Sequence, residues 1–109
     1  MNLFKNMHST GAPIKARSLG GGYWYWIDKD ILHIHGRKLK ATGIAVYNVL
    51  AAFSNSKTQK CFPSHARIAR TCGVSNRSVV RKIKQLEELG LIQVERKGKA
   101  RTYCLLARK

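Results

Sequence analysis

One predicted helix carries side chains suited to directional hydrogen bonding in its first two turns: Asn76, Arg77, Ser78 and Arg81. A guanidinium presents a fixed fork of donors and an amide presents a donor beside an acceptor, so both match the edges of nucleic-acid bases. Each such two-bond contact favours binding to the correct base over an incorrect one by about 1 to 3 kcal/mol of free energy. On a helix the polar face that holds Arg77, Ser78 and Arg81, with Lys84 and Gln85, points away from the apolar stripe of Val79, Ile83 and Leu86. We therefore predict that the four side chains suited to directional hydrogen bonding contact base edges.

A second set of residues is suited to binding phosphate oxygens. Cations attract phosphates without reading sequence, and free N–H groups at the start of a helix add an anion site. The candidates are Ser64, Arg67, Arg70, Ser75, Lys82, Lys84, Lys97, Lys99 and Arg101. The chain holds 21 Lys and Arg against five Asp and Glu, with a net charge of +16. This excess, concentrated in residues 54–109, predicts a polyanionic partner, most simply nucleic acid.

The base-reading candidates and the phosphate candidates up to Lys84 lie between Cys61 and Gly90. Two short helices joined by a tight turn are predicted to position them there. Ser64 is a good N-cap for the first helix, and Gly73 interrupts the helical pattern. Ser75 caps the second helix, which a glycine ends. The chain therefore presents its donors on a helix that a preceding helix and a turn hold in place.

Flanking segments complete the predicted domain. A helix capped by Thr42 and extending to Phe53 is apolar nearly all round, so it is expected to be a buried scaffold. Residues 91–96 and 102–106 read as two strands of a hairpin whose basic tip is residues 97–101. A short helix-like turn is predicted over residues 28–35, ended by Gly36.

Residues 23–27, with sequence YWYWI, are predicted to form an aromatic strand. Because side chains alternate along a strand, the two tryptophans share one face and the two tyrosines share the other. The strand is expected to pair with the hairpin and to bury the tryptophans against the helices. The alternatives are an exposed aromatic face that joins a second subunit or stacks on bases.

The segments FPSHARIA and CGVSNRSVVRKIKQLEELGLI, with the glycine-centred basic hairpin after them, resemble winged helix-turn-helix DNA-binding domains. Such domains occur in bacterial, phage and plasmid regulators and replication-initiation proteins, and the resemblance covers about half of the chain. It implies an α+β fold of three main helices and a small antiparallel sheet, made from the N-terminal strand and the C-terminal wing hairpin. It also implies double-stranded DNA as the partner, with a recognition helix in the major groove and the wing on the backbone.

Three roles are compatible with this interpretation. The first is a sequence-specific transcription regulator, acting as a homodimer on a two-fold site. The second is the DNA-binding module of a phage or plasmid replication-initiation protein, and a protein of this size suits a mobile genetic element in either case. The third is a sequence-indifferent protein that coats or bends nucleic acid. Equal binding to selected and random duplexes would favour the third role.

Other classes of function find little support. The five acidic residues form no pair at catalytic spacing, and no Ser/His/Asp group or phosphate-binding glycine loop occurs, so no enzyme is expected. His33 and His35 have no nearby acid or cysteine to complete a metal site, and we expect no cofactor or small-molecule ligand. No apolar run is long enough to span a membrane.

The chain is expected to hold one domain, residues 23–109, after a flexible basic arm, residues 1–22, that ends in three glycines. The arm is either a plain tail or a source of phosphate contacts. Three cysteines without a CxxC pair predict a reducing, cytoplasmic location rather than a disulfide framework. Cys72 and Cys104 are expected to pack in the core, with redox sensing as the alternative.

Overall fold

The computed structural model describes residues 15–17 and 23–107. In chain order its elements are α1 (Asp30–His33), α2 (Gly36–Phe53), β1 (Lys60–Cys61), α3 (His65–Cys72), α4 (Asn76–Glu88), β2 (Ile92–Lys97) and β3 (Ala100–Leu105). Helices α2, α3 and α4 pack on one another, and α2 also contacts β1 and β3. This α+β arrangement, three packed helices with a three-stranded antiparallel sheet, confirms the predicted winged helix-turn-helix fold.

The third strand of the sheet is not the one expected from the sequence. The strand order is β1-β3-β2, so Lys60–Cys61 takes the place beside the hairpin that we expected residues 23–27 to take. The expectation of an aromatic strand is therefore wrong, and so is that of buried tryptophans, since Trp24 and Trp26 are 40% and 69% exposed. The reason is that Cys61 faces the fully buried Tyr103 across the ladder, so pairing there fills the core.

Helix α2 is the central scaffold, as its apolar sequence predicts. Leu39, Val46 and Leu50 are fully buried, and they belong to one core with Ile68 of α3 and Leu86 of α4. Burying a side chain of this size stabilises the folded state by about 1.5 to 3 kcal/mol. The residues of α4 that are buried in this core are Val79, Ile83 and Leu86, the predicted stripe.

The start of α2 differs from the prediction. Two helical segments join in α2: a short turn begins at Gly36, the residue expected to end the preceding turn, and the longer segment begins directly after Lys40, within two residues of the predicted cap Thr42. Leu39 explains the earlier start: it is fully buried, and its backbone N–H donates to His35 O at 2.9 Å. A break follows at once, since Lys40 has φ 59° and ψ 179° inside the assigned helix. The N-terminal turn of α2 is thus offset from the rest.

The cysteines are distributed differently from the expectation. Cys61 is buried, while Cys72 and Cys104 are half-buried. Cys72 packs against the core as expected, whereas Cys104 does not belong to the core, so that part of the expectation was wrong. Alternation along the strand is the reason for Cys104, since its neighbour Tyr103 points inward and Cys104 lies on the other face. Burial raises the pKa of the Cys61 and Cys72 thiols, which disfavours the reactive thiolate.

Two expectations stated above concern membrane spans and metal sites. Within residues 15–17 and 23–107, no helix has the length and apolar character needed to cross a membrane. In the same residues, no cluster of three or more His, Cys, Asp or Glu side chains is placed to hold a metal ion. The predicted arm, residues 1–22, lies outside the described part of the chain except for residues 15–17, where Arg17 Cζ is 4.7 Å from the centre of the Trp24 ring.

Candidate nucleic-acid interface

Helix α3 begins and ends where its local sequence predicts. Ser64 is its N-cap, and Ser64 Oγ accepts a hydrogen bond from the backbone N–H of Arg67 at 3.1 Å. Gly73 ends the helix in the left-handed conformation, with φ 74° and ψ 35°. The N–H groups of Gly73 and Val74 both donate to Ala69 O, at 2.8 and 3.0 Å, which satisfies the helix end. The turn into α4 is therefore short and rigidly defined.

Helix α4 presents the predicted base-reading residues, although one of the four is partly engaged. Asn76, Arg77 and Arg81 are exposed, whereas Ser78 is half-buried. Ser75 caps the helix by accepting from Ser78 N at 3.1 Å, and Ser75 Oγ also donates to Ser78 Oγ at 3.0 Å. The two hydroxyls thus lock the first turn. Arg77 and Arg81 stand on the face opposite the buried stripe, in agreement with the helical period, whereas Asn76 is exposed in the first turn on the side nearer Val79.

Val80 lies among these polar residues and was missed by the sequence analysis. Its side chain is 48% exposed, whereas Val79 beside it is fully buried. The signal was present, because only one of two adjacent valines can join a stripe with Ile83 and Leu86. An exposed apolar side chain between Arg77 and Arg81 offers the kind of contact that a thymine methyl group makes in the major groove.

Beyond its second turn, α4 faces the scaffold as well as solvent. Gln85 Nε2 donates to Lys38 O in α2 at 2.9 Å, and Gln85 Oε1 accepts from Lys82 Nζ at 3.3 Å. Lys82 is half-buried at this junction, while Lys84 is exposed. An open depression of about 360 Å³ is lined by Arg81, Lys82, Lys84, Gln85 and Glu88. The predicted phosphate contacts Lys82 and Lys84 therefore lie beside α2.

The two cations of α3 are both exposed. Arg67 Cζ lies 4.6 Å from the centre of the Phe53 ring, which holds the guanidinium against the end of α2. Stacking of this kind occupies the flat face of the guanidinium rather than its donor edge. The donor edge of Arg67 is thereby left open, while Arg70 in the last turn has no comparable ring contact among the described residues.

The basic hairpin has a tighter tip than the sequence suggested. Strands β2 and β3 pair from Ile92 with Leu105 to Lys97 with Ala100, so only Gly98 and Lys99 form the turn. Gly98 has φ 60°, a conformation that glycine adopts without strain. Lys97 and Arg101 are thus strand residues, and both are exposed like Lys99.

The hairpin is joined to α4 by a salt bridge. Arg96 Nη2 and Glu87 Oε1 are 3.3 Å apart, and both side chains are partly exposed. A surface pair of this kind stabilises by at most about 1 kcal/mol. It connects β2 to the last turn of α4, so the hairpin and the helix are held on a shared surface.

A groove of about 280 Å³ separates the start of α3 from β3; its lining includes Ser64, His65, Lys99, Arg101 and Tyr103. Partial burial lowers the pKa of His65, and the positive charges of Arg101 and Arg96 lower it further. The groove is therefore electropositive even with His65 neutral. Tyr103 Oη is buried and has no hydrogen-bond partner within residues 15–17 and 23–107.

Comparison with known proteins gives one match. A family model described as a helix-turn-helix domain matches residues 37–92, just over half of the chain. The matched region runs from the first turn of α2 through α3 and α4 to the first residue of β2. No curated protein and no solved structure matches the chain.

Proposed function

Because the chain belongs to the helix-turn-helix domain family, which indicates DNA binding, we propose that it binds double-stranded DNA sequence-specifically as a transcription regulator. The observation that carries this proposal is the outer face of α4. It presents Asn76, Arg77 and Arg81 to solvent while Val79 and Leu86 are fully buried behind them. Donors on a rigid, exposed helix are what reading the major groove requires.

In this proposal the first two turns of α4 enter the major groove. Arg77 and Arg81 are one helical turn apart, so their forks meet neighbouring base pairs, where each prefers guanine. Asn76 matches adenine, and Val80 supplies the apolar contact for a thymine methyl group. Ser78, tied to Ser75 by the hydroxyl contact at 3.0 Å, contributes less to base choice and more to the shape of the first turn.

The phosphate contacts surround this helix on the remaining exposed cations. The starts of α3 and α4, capped by Ser64 and Ser75, each offer backbone N–H groups to a phosphate. The remaining candidates extend from α3 through α4 to the wing: Arg67, Arg70, Lys82, Lys84, Lys97, Lys99 and Arg101. Contacts of this type supply affinity that falls with salt and is the same for all sequences.

Selection of bound duplexes from a random pool tests the proposal. The expected result is a defined motif that binds at least about 1,000-fold more tightly than random duplex at physiological salt. A two-fold symmetric motif, with half-sites about one helical turn apart, would support a homodimer. Equal binding of selected and random duplexes would contradict sequence-specific regulation and favour a coating or architectural protein.

The replication-initiation alternative uses the same interface. It differs in what the bound site is for, so the genomic position of the selected motif separates the two: an origin rather than a promoter would replace the regulator proposal. This alternative is supported by a resemblance to both protein classes, carried by the segments FPSHARIA and CGVSNRSVVRKIKQLEELGLI.

A further inference from the structure

The first turn of α2 carries exposed cations to which the sequence analysis gave no binding role. Arg37, Lys38 and Lys40 are all exposed, while Leu39 between them is fully buried. The buried leucine anchors the turn, so its three neighbours are held at the surface of the domain. We propose that these three cations form a further phosphate-binding surface, the α2 patch, which extends the DNA interface beyond α4. This inference rests on the proposed DNA-binding function.

Direct contacts join the α2 patch to α4. The side chain of Gln85 donates to Lys38 O at 2.9 Å, so the patch is fixed to the third turn of α4. Close packing supports the junction, because a Cβ atom added at Gly43 would lie 3.4 Å from Lys82 Cδ. The backbone of Lys38 therefore lies next to Gln85, which lines the same depression as Arg81, Lys82 and Lys84 on α4.

The position of the patch along α4 matches the edge of a major groove. Arg77 and Gln85 are eight residues apart, and a rise of about 1.5 Å per residue separates them by about 12 Å along the helix axis. The major groove is about 12 Å wide. The phosphates that border the groove lie about half this width, about 6 Å, from its centre. When Arg77 meets base edges near the centre, the Gln85 end of α4 is therefore far enough along the helix for the patch attached to it to reach those phosphates.

The backbone of Lys40 gives an independent reason to assign a function to this turn. Its φ of 59° and ψ of 179° lie in a region that is populated almost solely by glycine. A lysine in such a conformation is strained, and strained residues concentrate at functional sites, where the side chain is needed despite the cost to stability. Glycine would relieve the strain at Lys40, but it would also remove the charge.

Lys40→Gly separates these two effects. We expect its melting temperature to rise by a few degrees, because glycine adopts this backbone conformation freely. We also expect weaker binding to a random-sequence duplex, and a plot of log affinity against log salt that is shallower by about 0.9 for the lost phosphate contact. The triple variant Arg37→Ala, Lys38→Ala, Lys40→Gly should be shallower by up to about three times that amount.

Two control variants are matched to Lys40, one for its strained backbone and one for its charge. Gln59 also has a positive φ, of 60°, so Gln59→Gly should raise the melting temperature and leave DNA affinity unchanged. Lys57 is an exposed cation in the loop after α2, and Lys57→Ala should alter the salt slope little although it removes the same charge. Lys40→Ala removes the charge and keeps the strained backbone, and it should bind random duplex as weakly as Lys40→Gly.

An unchanged salt slope in the triple variant would overturn the proposal, because phosphate contacts cannot be lost without changing that slope. Losses of DNA affinity equal to that of Lys57→Ala would overturn the proposal as well, since they would reflect the change in net charge alone. The measurement uses random-sequence duplex, so it remains decisive if the protein proves to have no sequence preference. Failure of the regulator proposal appears instead in the ratio of selected to random binding, and the two outcomes are distinguishable.

Discussion

Replacing Tyr103 with phenylalanine should stabilise the protein. Tyr103 is fully buried in β3, and its hydroxyl has no hydrogen-bond partner in the described part of the chain. Leaving a buried polar group unsatisfied costs about 1 to 3 kcal/mol, because the group gives up its hydrogen bonds to water on folding. Tyr103→Phe keeps the ring that faces Val94 and Cys61 and removes only the hydroxyl.

The expected gain in the free energy of unfolding is therefore about 1 to 3 kcal/mol. For a domain of this size, each kcal/mol raises the melting temperature by roughly 4 to 8 °C. Urea or thermal unfolding followed by circular dichroism measures the change. Tyr25→Phe is the control, since Tyr25 Oη donates to Asn48 Oδ1 at 3.0 Å, and losing that exposed hydrogen bond should leave stability unchanged or slightly lower.

The same variant should change how stability depends on pH. Burial raises the pKa of Tyr103 in the folded state above its ordinary value of about 10. Above that pH the unfolded chain loses the Tyr103 proton while the folded chain keeps it, so the wild-type protein loses stability as pH rises. The phenylalanine variant lacks this loss, and its advantage over the wild-type protein should therefore widen above about pH 10.

A Tyr103→Phe protein that is less stable than the wild type by 1 kcal/mol or more would refute this reasoning. Such a result would mean that the hydroxyl makes a hydrogen bond in the folded protein. A constant difference between the two proteins from pH 8 to pH 11 would separately refute the raised pKa.

Three further predictions concern the DNA interface and the turn that supports it. Arg77→Ala and Arg81→Ala should each cost about 1 to 3 kcal/mol on a selected duplex and much less on random duplex, and equal losses on both would remove these residues from base readout. Replacing Lys97, Lys99 and Arg101 with alanine should weaken all sequences alike and flatten the salt slope by about one unit per lost contact, whereas an unchanged slope would place the wing off the backbone. Gly73→Ala should lower the free energy of unfolding by about 1 to 2 kcal/mol, because its φ of 74° strains any residue with a Cβ although the surrounding space is open, and an unaltered melting temperature would contradict that origin.

The proposed DNA interface combines three surfaces. The outer face of α4 rests on the core behind Val79, the wing is joined to α4 through Arg96 and Glu87, and the α2 patch is joined through Gln85 and Lys38. Each connection leads to α4. A variant in one surface should therefore leave the other two in place, which is why the salt slope and base preference can be tested residue by residue.

The exposed aromatic segment before α1 has a position but no demonstrated partner. Tyr25 hydrogen-bonds to Asn48 on α2, while Tyr23 and Trp26 are largely exposed. Its earlier alternatives, a contact with a second subunit or stacking on bases, stay predictions. The symmetry of the selected motif addresses the first of them.

Much of the helix-turn-helix was determined by the sequence alone. Ser64, Gly73 and Ser75 act on backbone groups within four residues of themselves, so their effect is readable from neighbouring letters. The stripe of Val79, Ile83 and Leu86 is likewise a matter of helical period. For these reasons the exposure of Arg77 and Arg81 followed correctly from their spacing.

Only the tertiary structure decided which segments meet. The strand that pairs with β3 is Lys60–Cys61 and not residues 23–27. Packing of Cys61 against Tyr103 determines this pairing between segments that lie far apart in the chain. The start of α2 depends on burying Leu39, and the direction of Lys82 and Gln85 depends on where α2 lies. Capping and period are local properties of a sequence, whereas strand partners and helix junctions depend on the total burial of the folded chain. The sequence therefore determined the helix that we propose faces the DNA, and the fold determined which cations lie beside it.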